Sequence, residues 1–359
     1  MRRALALILL CFALACSESF LPASAVTDLR AVAALVEVEG EPGRARPDPG
    51  DDMQVSILVI DQGAPPSDFP EVPALTPPLL QWAFAACIPQ PTLIGPPICR
   101  DLIEPCDGCA GPPPEDPFAF PVIRFQAPSR AELDAAEATE ILLQGVICAH
   151  GTPSTDVIER FQLGETDDLE PCDPLPEDLP GRGDPPEGRF VSVSIPIETT
   201  PEDPNLRPAI QIVELDGRAW PPPYDEGVPR TAPRTGCGAD LDGLTEQQRA
   251  AHPLAGDPAS SINLHVTPDS LQSYVVGEMM VTDEIQVSWL TDGGDLERTF
   301  SFITDPARSV LTLWQPFADA PEDGMLMRFN FVIRDGRGGT DWVERGLCIL
   351  PPPPDESPP

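Results

Sequence analysis

The sequence predicts an all-β chain built as two antiparallel β-sandwiches with long proline-rich, disulfide-stapled loops. Three observations carry that prediction. Short segments of alternating polar and apolar residues recur about every 8 to 12 residues, the spacing of strands in sandwiches. Proline (49) and glycine (27) are abundant among 359 residues, which disfavours helices and suits short strands joined by stiff loops. Eight cysteines lie in the part expected to fold, six between positions 87 and 172 and two at 237 and 348. An even number in an oxidising compartment reads as disulfides.

The first residues read as an export signal. Arg2 and Arg3 form a positive end, and residues 4–15 are an uncharged run of 12 residues, too short for the roughly 20 that span a bilayer. The run ends in Ala13-Leu14-Ala15-Cys16, similar to a bacterial lipobox, so Cys16 is the expected lipidation site and residues 1–15 the signal peptide. Two or three acyl chains, palmitate among them, anchor stably where one chain does not. Ser17 in place of an aspartate fits an outer-membrane address, on the periplasmic or cell-surface face. A later cut after Ala23-Ser24-Ala25 would instead release a secreted protein. Residues 16–26 are expected to be a tether.

The strands follow in order. Residues 29–38 are apolar, and Val32, Val36 and Val38 tilt them toward a strand. After a turn-rich stretch, residues 53–59 place Met53, Val55, Ile57 and Val59 on one face. Residues 79–87 carry Trp82 and Phe84. Residues 90–117 read as one loop, too long to hold without staples. Segments 122–126, 140–149 and 189–198 complete the first sandwich, with a brief helix over 130–138. Between 199 and 206 the composition turns to Thr, Pro, Glu and Asp, which marks a boundary between domains at 27–200 and 201–350.

The second set of strands is expected at 209–215, 262–266, 273–281, 284–290, 298–302, 310–314, 327–334 and 342–349. Ile285, Val287 and Trp289 alternate with Gln286 and Ser288, and Phe329, Phe331 and Ile333 repeat the pattern. Asp335-Gly336-Arg337-Gly338-Gly339 is a hairpin signal, because glycine supplies the positive φ such turns need. Residues 351–359 read as an extended proline-rich tail outside the fold.

Cys11 leaves with the signal. The disulfide candidates are Cys87, Cys99, Cys106, Cys109, Cys148, Cys172, Cys237 and Cys348, and each half holds an even number, so it can close its own pairs. Connectivity stays open at this level. The alternative is a zinc knot or a redox Cys-x-x-Cys from Cys99, Cys106 and Cys109, with Cys148 and His150 nearby. Its context is poor, since Gly111-Pro112-Pro113-Pro114 follows rather than a helix that would lower a thiol pKa. Ala110 stands where covalent haem attachment needs histidine.

Net charge excludes further classes. With 58 acidic and 22 basic residues, net −36, a nucleic-acid backbone or anionic bilayer is not the partner. Every basic residue is arginine, which removes P-loop, Schiff-base and Ser-x-x-Lys chemistry. His150, His252 and His265 accompany no Gly-x-Ser-x-Gly or His-Glu-x-x-His motif and read as structural. Two carboxylates suffice for glycoside hydrolysis, but no pair among so many stands out, and aromatic content is only 6%. Clustered oxygen ligands could hold calcium, first at Asp167, Asp168, Glu170 and Asp173, then at Asp240 and Asp242, then at Asp319, Glu322 and Asp323. None completes an EF-hand frame, and a solvated acidic surface explains them equally. Arg182-Gly183-Asp184 is an integrin-type tripeptide, read as a chance occurrence. No other cofactor is expected.

Four stretches together carry a resemblance: Leu29-Arg30-Ala31-Val32, Trp82-Ala83-Phe84-Ala85-Ala86-Cys87, Asn205-Leu206-Arg207-Pro208 leading to Leu215-Asp216-Gly217, and Arg334-Asp335-Gly336-Arg337-Gly338-Gly339-Thr340-Asp341-Trp342. With them the chain resembles lipoproteins of myxobacteria-like bacteria that carry tandem Ig-like domains and mostly have no assigned activity. The resemblance implies two Ig-like sandwiches. Together these readings lead to a lipid-anchored extracytoplasmic binding or structural module, non-catalytic, with a protein or cell-envelope partner held by loops such as 90–117 and 335–339. A calcium-stiffened surface adhesin is one alternative. A secreted hydrolase with paired acids in a deep pocket is another.

Overall fold

The computed structural model describes residues 24–26, 28–60, 80–90, 97–110, 120–154, 156, 160, 170–175, 186–198, 204–221, 237, 252–304, 307–322 and 324–351. In the first half, β1 (Arg30–Val38), β2 (Asp52–Ile60), β3 (Leu80–Gln90), β4 (Ile98–Leu102), β5 (Cys106–Asp107) and β6 (Val122–Gln126) precede a short helix, α1 (Arg130–Ala136). β7 (Glu140–Ala149), β8 (Gly151–Pro153), β9 (Cys172–Pro174) and β10 (Glu187–Pro196) follow. Two antiparallel sheets form, ordered β1-β2-β6-β5 and β10-β7-β3-β4. Period-2 alternation puts Met53, Val55, Ile57 and Val59 of β2 against Ile141, Leu143 and Ile147 of β7 in one core, where each buried aliphatic contributes about 1.5–3 kcal/mol. Gly145 lies where β7 passes so close to β3 that a Cβ would strike the Ala83 carbonyl. α1 starts on a capping box: Ser129 N–H donates to Glu132 Oε2 at 2.8 Å and Ser129 Oγ accepts from Glu132 N–H.

The second half holds β11 (Ile210–Leu215), β12 (Arg218–Ala219), β13 (Ser260–Val266), β14 (Ser273–Val276), β15 (Met279–Thr282), β16 (Ile285–Thr291), β17 (Asp295–Leu296), β18 (Phe300–Ile303), β19 (Ser309–Gln315), β20 (Met325–Arg334) and β21 (Thr340–Ile349). Its sheets run β12-β11-β13-β19-β17 and β18-β16-β20-β21. Trp289, Trp314, Phe329 and Phe331 are fully buried between them. Trp314 meets Phe329 edge-on at 4.9 Å and Trp289 meets Phe331 at 5.3 Å. Both indole N–H groups are satisfied, Trp289 by Ser301 Oγ and Trp314 by the Gly293 carbonyl, each at 2.9 Å.

The two halves share one strand order. β1-β2-β6-β5 corresponds to β11-β13-β19-β17, and β10-β7-β3-β4 to β21-β20-β16-β18. They differ in sequence order at the edge, where β4 precedes β5 in the first half but β17 precedes β18 in the second.

Several expectations need correction. Residues 90–117 are not one loop, because β4 and β5 lie within them and pair with β3 and β6. Residues 273–281 are not one strand; the chain reverses at Gly277, which adopts φ +64, so β14 and β15 form a hairpin. The end of the expected tether is built into the fold: Val26 N–H donates to the Thr291 carbonyl at 2.9 Å and Thr291 N–H to the Ser24 carbonyl at 3.0 Å. Ser24 to Val26 thus add a parallel bridge to the end of β16.

The halves meet along an apolar seam. Val26, Leu58, Ile60, Leu290 and Val332 are buried together, with Val32 and Trp342 packed on them. This explains why Ile57-Leu58-Val59-Ile60 is a continuous apolar run: its odd members face the first core and its even members face the second half.

Candidate functional site

The turn after β20, residues 335–339, forms as expected, with Gly336 at φ +72 and Gly338 at φ +110. It is tied into a clasp of hydrogen bonds that reaches Arg46 of the first half, and its Gly338 also lines the cleft between the halves. Asp335 Oδ1 accepts from Arg337 N–H (2.7 Å) and Gly339 N–H (2.8 Å), and its Oδ2 accepts from Asn205 Nδ2 at 2.8 Å. Arg337 donates to both oxygens of Asp283 (2.8 and 2.6 Å) and to Gln272 Oε1 (3.0 Å), and lies 4.1 Å over the Tyr274 ring. Its own carbonyl accepts from Arg46 Nε. Burial pushes the Asp335 carboxyl up, opposed by those hydrogen bonds and by Arg337. The segment expected as a linker is held by the same clasp: Asn205 N–H donates to Glu198 Oε2 at 3.0 Å, and Arg207 pairs with Glu37 at 3.2 Å.

The site the structure does present is a cleft of about 700 Å3 between the halves. Its walls are the outer edges of β1 and β10, each terminal in its sheet. Ser288, Leu290, Phe300, Arg334 and Thr340 from the second half form its roof. One end is closed by Arg189, which donates to the Leu29 carbonyl (3.0 Å) and to Asp28 (2.7 Å), while Glu187 accepts from Leu29 N–H at 3.1 Å. Arg30 also pairs with Asp28, at 2.8 Å. These contacts hold Asp28 below the usual carboxylate range against its partial burial.

Arg334 stands apart from these two rim arginines. Its guanidinium donates to Ser288 Oγ at 3.0 Å and to the Val32 carbonyl at 2.5 Å. Burial lowers its pKa, with no carboxylate to offset that. Ser288 and Phe300 are cross-strand partners on β16 and β18, so the hydroxyl under Arg334 lies beside a half-exposed ring. Among the described residues, those lining the cleft include no Asp, Glu, His or Cys. A concavity of this size, apolar with a few polar groups, is the form of a ligand site.

The eight cysteines form four disulfides: Cys87–Cys99, Cys106–Cys109, Cys148–Cys172 and Cys237–Cys348. The zinc-knot reading is corrected by this pairing, since Cys99 and Cys148 are bonded to other partners and no thiolate set is left to coordinate metal. The Cys106–Cys109 clip bridges the two sheets of the first half. Cys106 pairs in β5 with Phe125, while Phe84 N–H donates to the Cys109 carbonyl at 2.7 Å and Trp82 Nε1 to the Gly108 carbonyl at 2.9 Å.

The remaining sequence candidates are dispersed. Cys16, Asp167, Asp168, Asp240, Asp242, Asp323 and residues 182–184 lie outside the described residues. Glu170, Asp173, Asp319 and Glu322 are exposed. Among the described residues, no group of three or more His, Cys, Asp or Glu is placed to hold a metal, and no helix is long and apolar enough to cross a membrane. His252 is buried and its Nδ1 accepts from Cys348 N–H at 3.2 Å. His265 shares hydrogen bonds with Asn263 (2.8 Å) and Glu214 (3.2 Å), and His150 ends β7 at φ +56.

Sequence reasoning missed the cleft, because its lining comes from residues 29–36, Ile57, 189–196 and 288–340. One signal was available: Arg334 is a cation at the end of the alternating Phe329, Phe331, Ile333 stretch, on the face opposite the core.

No family model matches the chain, and no curated protein matches it. Among solved structures it is similar to the adhesin InvE of Yersinia pseudotuberculosis, at 8% identity and a TM-score of 0.19, over 89% of this chain and 60% of that one. A score this low carries no structural argument, and the chain spans 60% of that protein's length.

Proposed function

We propose that this chain is a lipid-anchored, non-catalytic binding or structural module of the outer membrane or cell surface, made of two Ig-like sandwiches in tandem. The observation that carries the reading is the pair of sandwiches clasped around a cleft lined by apolar side chains, hydroxyls and three arginines. In constant-type Ig domains, strands A, B, E and D form one sheet and G, F and C the other. β1, β2, β6 and β5 stand in the first set of places and β10, β7 and β3 in the second, with β4 added at the edge. The disulfides depart from that family's pattern, since none joins the strands in the B and F places.

Four disulfides support an oxidising compartment, and the Arg2-Arg3 run ending at Cys16 supports the anchor. The likeness to lipoproteins of myxobacteria-like bacteria belongs to the same proposal. With Ser24 fixed to β16, only eight residues lead back to Cys16. A chain of that length reaches at most about 29 Å, so the anchored body would stay close to the lipid surface. The test is the intact mass of the protein extracted from its native membrane and alkylated without reduction. Residues 16–359 plus acyl chains, with no alkyl adducts, is the expected result. A missing acyl mass overturns the anchor, and alkylated thiols overturn the compartment.

A further inference from the structure

The cleft between the halves inverts the charge of the molecule that surrounds it. The chain has 58 acidic residues against 22 arginines, yet the cleft lining includes Arg30, Arg189 and Arg334 and no acid. Two other concavities keep the general character. The one beside α1 includes Asp101, Glu104 and Glu132, and the one beside β5 includes four acids, Glu37, Glu39, Asp52 and Asp107, against one arginine, Arg124. At the cleft mouth Asp28 and Glu187 neutralise Arg30 and Arg189. Arg334, deeper and half-buried, has only a hydroxyl and a carbonyl for company.

The walls add a second kind of complementarity. Among the described residues β1 and β10 each pair on one side only, with β2 and β7, so beyond the Leu29 and Val32 groups already bonded to Glu187, Arg189 and Arg334 they leave backbone N–H and C=O groups facing the cleft. Open strand edges bind extended chains by adding a strand, with affinity from the main chain and selectivity from alternate side chains. Phe300 of β18, with 49% of its surface exposed, supplies an apolar wall beside them.

We propose that this cleft binds an extended acidic peptide segment of a partner protein. The segment adds along a free strand edge, places a carboxylate on Arg334 and rests an apolar side chain on Phe300. The inference deepens the binding-module reading and rests on it. A carboxylate on Arg334 gains a charge-assisted hydrogen bond in a partly water-excluded site.

The experiment is calorimetric titration of the full chain from Cys16 with a blocked octapeptide of alternating Val and Glu, alongside its Val and Lys counterpart and polygalacturonate. The expected result is saturable binding of the Val and Glu peptide, weakened by added salt and absent for the Lys peptide. Arg334→Met should weaken it at least tenfold. Phe300→Ser, at a half-exposed position, should weaken it severalfold while leaving the melting temperature unchanged. No binding of the acidic peptide, equal binding of the Lys peptide, or tighter binding of polygalacturonate overturns the proposal. So does an unchanged affinity in Phe300→Ser, whatever becomes of Arg334→Met. Failure here leaves the anchor and disulfides intact in the mass measurement, whereas failure of the mass measurement leaves peptide binding to be read separately.

Discussion

The guanidinium of Arg334 donates to the carbonyl of Val32 at 2.5 Å, across 302 residues of sequence. Val32 is the extra residue of a bulge in β1, since Ala31 faces Val59 and Ala33 faces Leu58 with nothing opposite Val32. A bulge leaves its residue out of the ladder, and here the freed carbonyl is taken by an arginine from the other half of the molecule. The same side chain thus joins the two halves and places a cation in the cleft.

Arg334→Met keeps the apolar stem and leaves the Val32 carbonyl without its donor. An orphaned buried acceptor costs about 1–3 kcal/mol. In calorimetry this should lower the melting temperature by roughly 2 to 4 °C per kcal/mol. A melting temperature equal to the parent's would show that water replaces the guanidinium at no cost.

Asp335→Ala removes acceptors from two turn N–H groups and from Asn205 at once. It should cost about 2–4 kcal/mol, because each partner is left buried or half-buried without its bond. Asn205→Ala breaks two contacts of the clasp, one to Asp335 and a long one to the Arg337 carbonyl, and should cost less. Urea unfolding of the two variants checks the order, and the reverse order would mean that the Asn205 side chain contributes more through its other contact, the Arg337 carbonyl, than through Asp335.

Asp292 sits beside Arg328 N–H, which donates to it at 2.7 Å, yet desolvation raises its pKa to about 7. A carboxyl raised above its unfolded value of 3.8 binds more protons folded than unfolded across that interval. Its contribution to stability is therefore full below about pH 4 and lost as pH climbs to 7, by at most about 4 kcal/mol. Burial raises Asp335 and Asp341 in the same direction. Unfolding midpoints of Asp292→Asn and its parent at pH 5 and pH 8 check this; the variant should gain relative stability at the higher pH. A constant difference would refute the shifted pKa.

The Cys237–Cys348 bond closes 111 residues and Cys106–Cys109 only 3. Loop entropy makes the first worth about 4–5 kcal/mol and the second little by that route. Replacing each pair by serine should therefore depress the melting temperature far more for the long loop. Equal depressions would mean that the short clip matters through its contacts to Trp82 and Phe84 instead.

What the sequence determined by itself was local. Met53, Val55, Ile57 and Val59 share a face because strand geometry points every second side chain the same way, and Phe329, Phe331 and Ile333 reach the second core for the same reason. Gly336 and Gly338 announce a turn because few other residues tolerate their φ. The edges β4, β5 and β17 were too short to leave a periodic trace. The rest was settled only by tertiary structure. That Leu58 and Ile60 are buried on the second face of β2, that the Arg337 carbonyl accepts from Arg46, and that Arg334 caps Val32 all depend on how one half lies against the other. Neither periodicity nor composition encodes that placement, because each contact joins residues more than a hundred positions apart, and its energy exists only once both halves are folded.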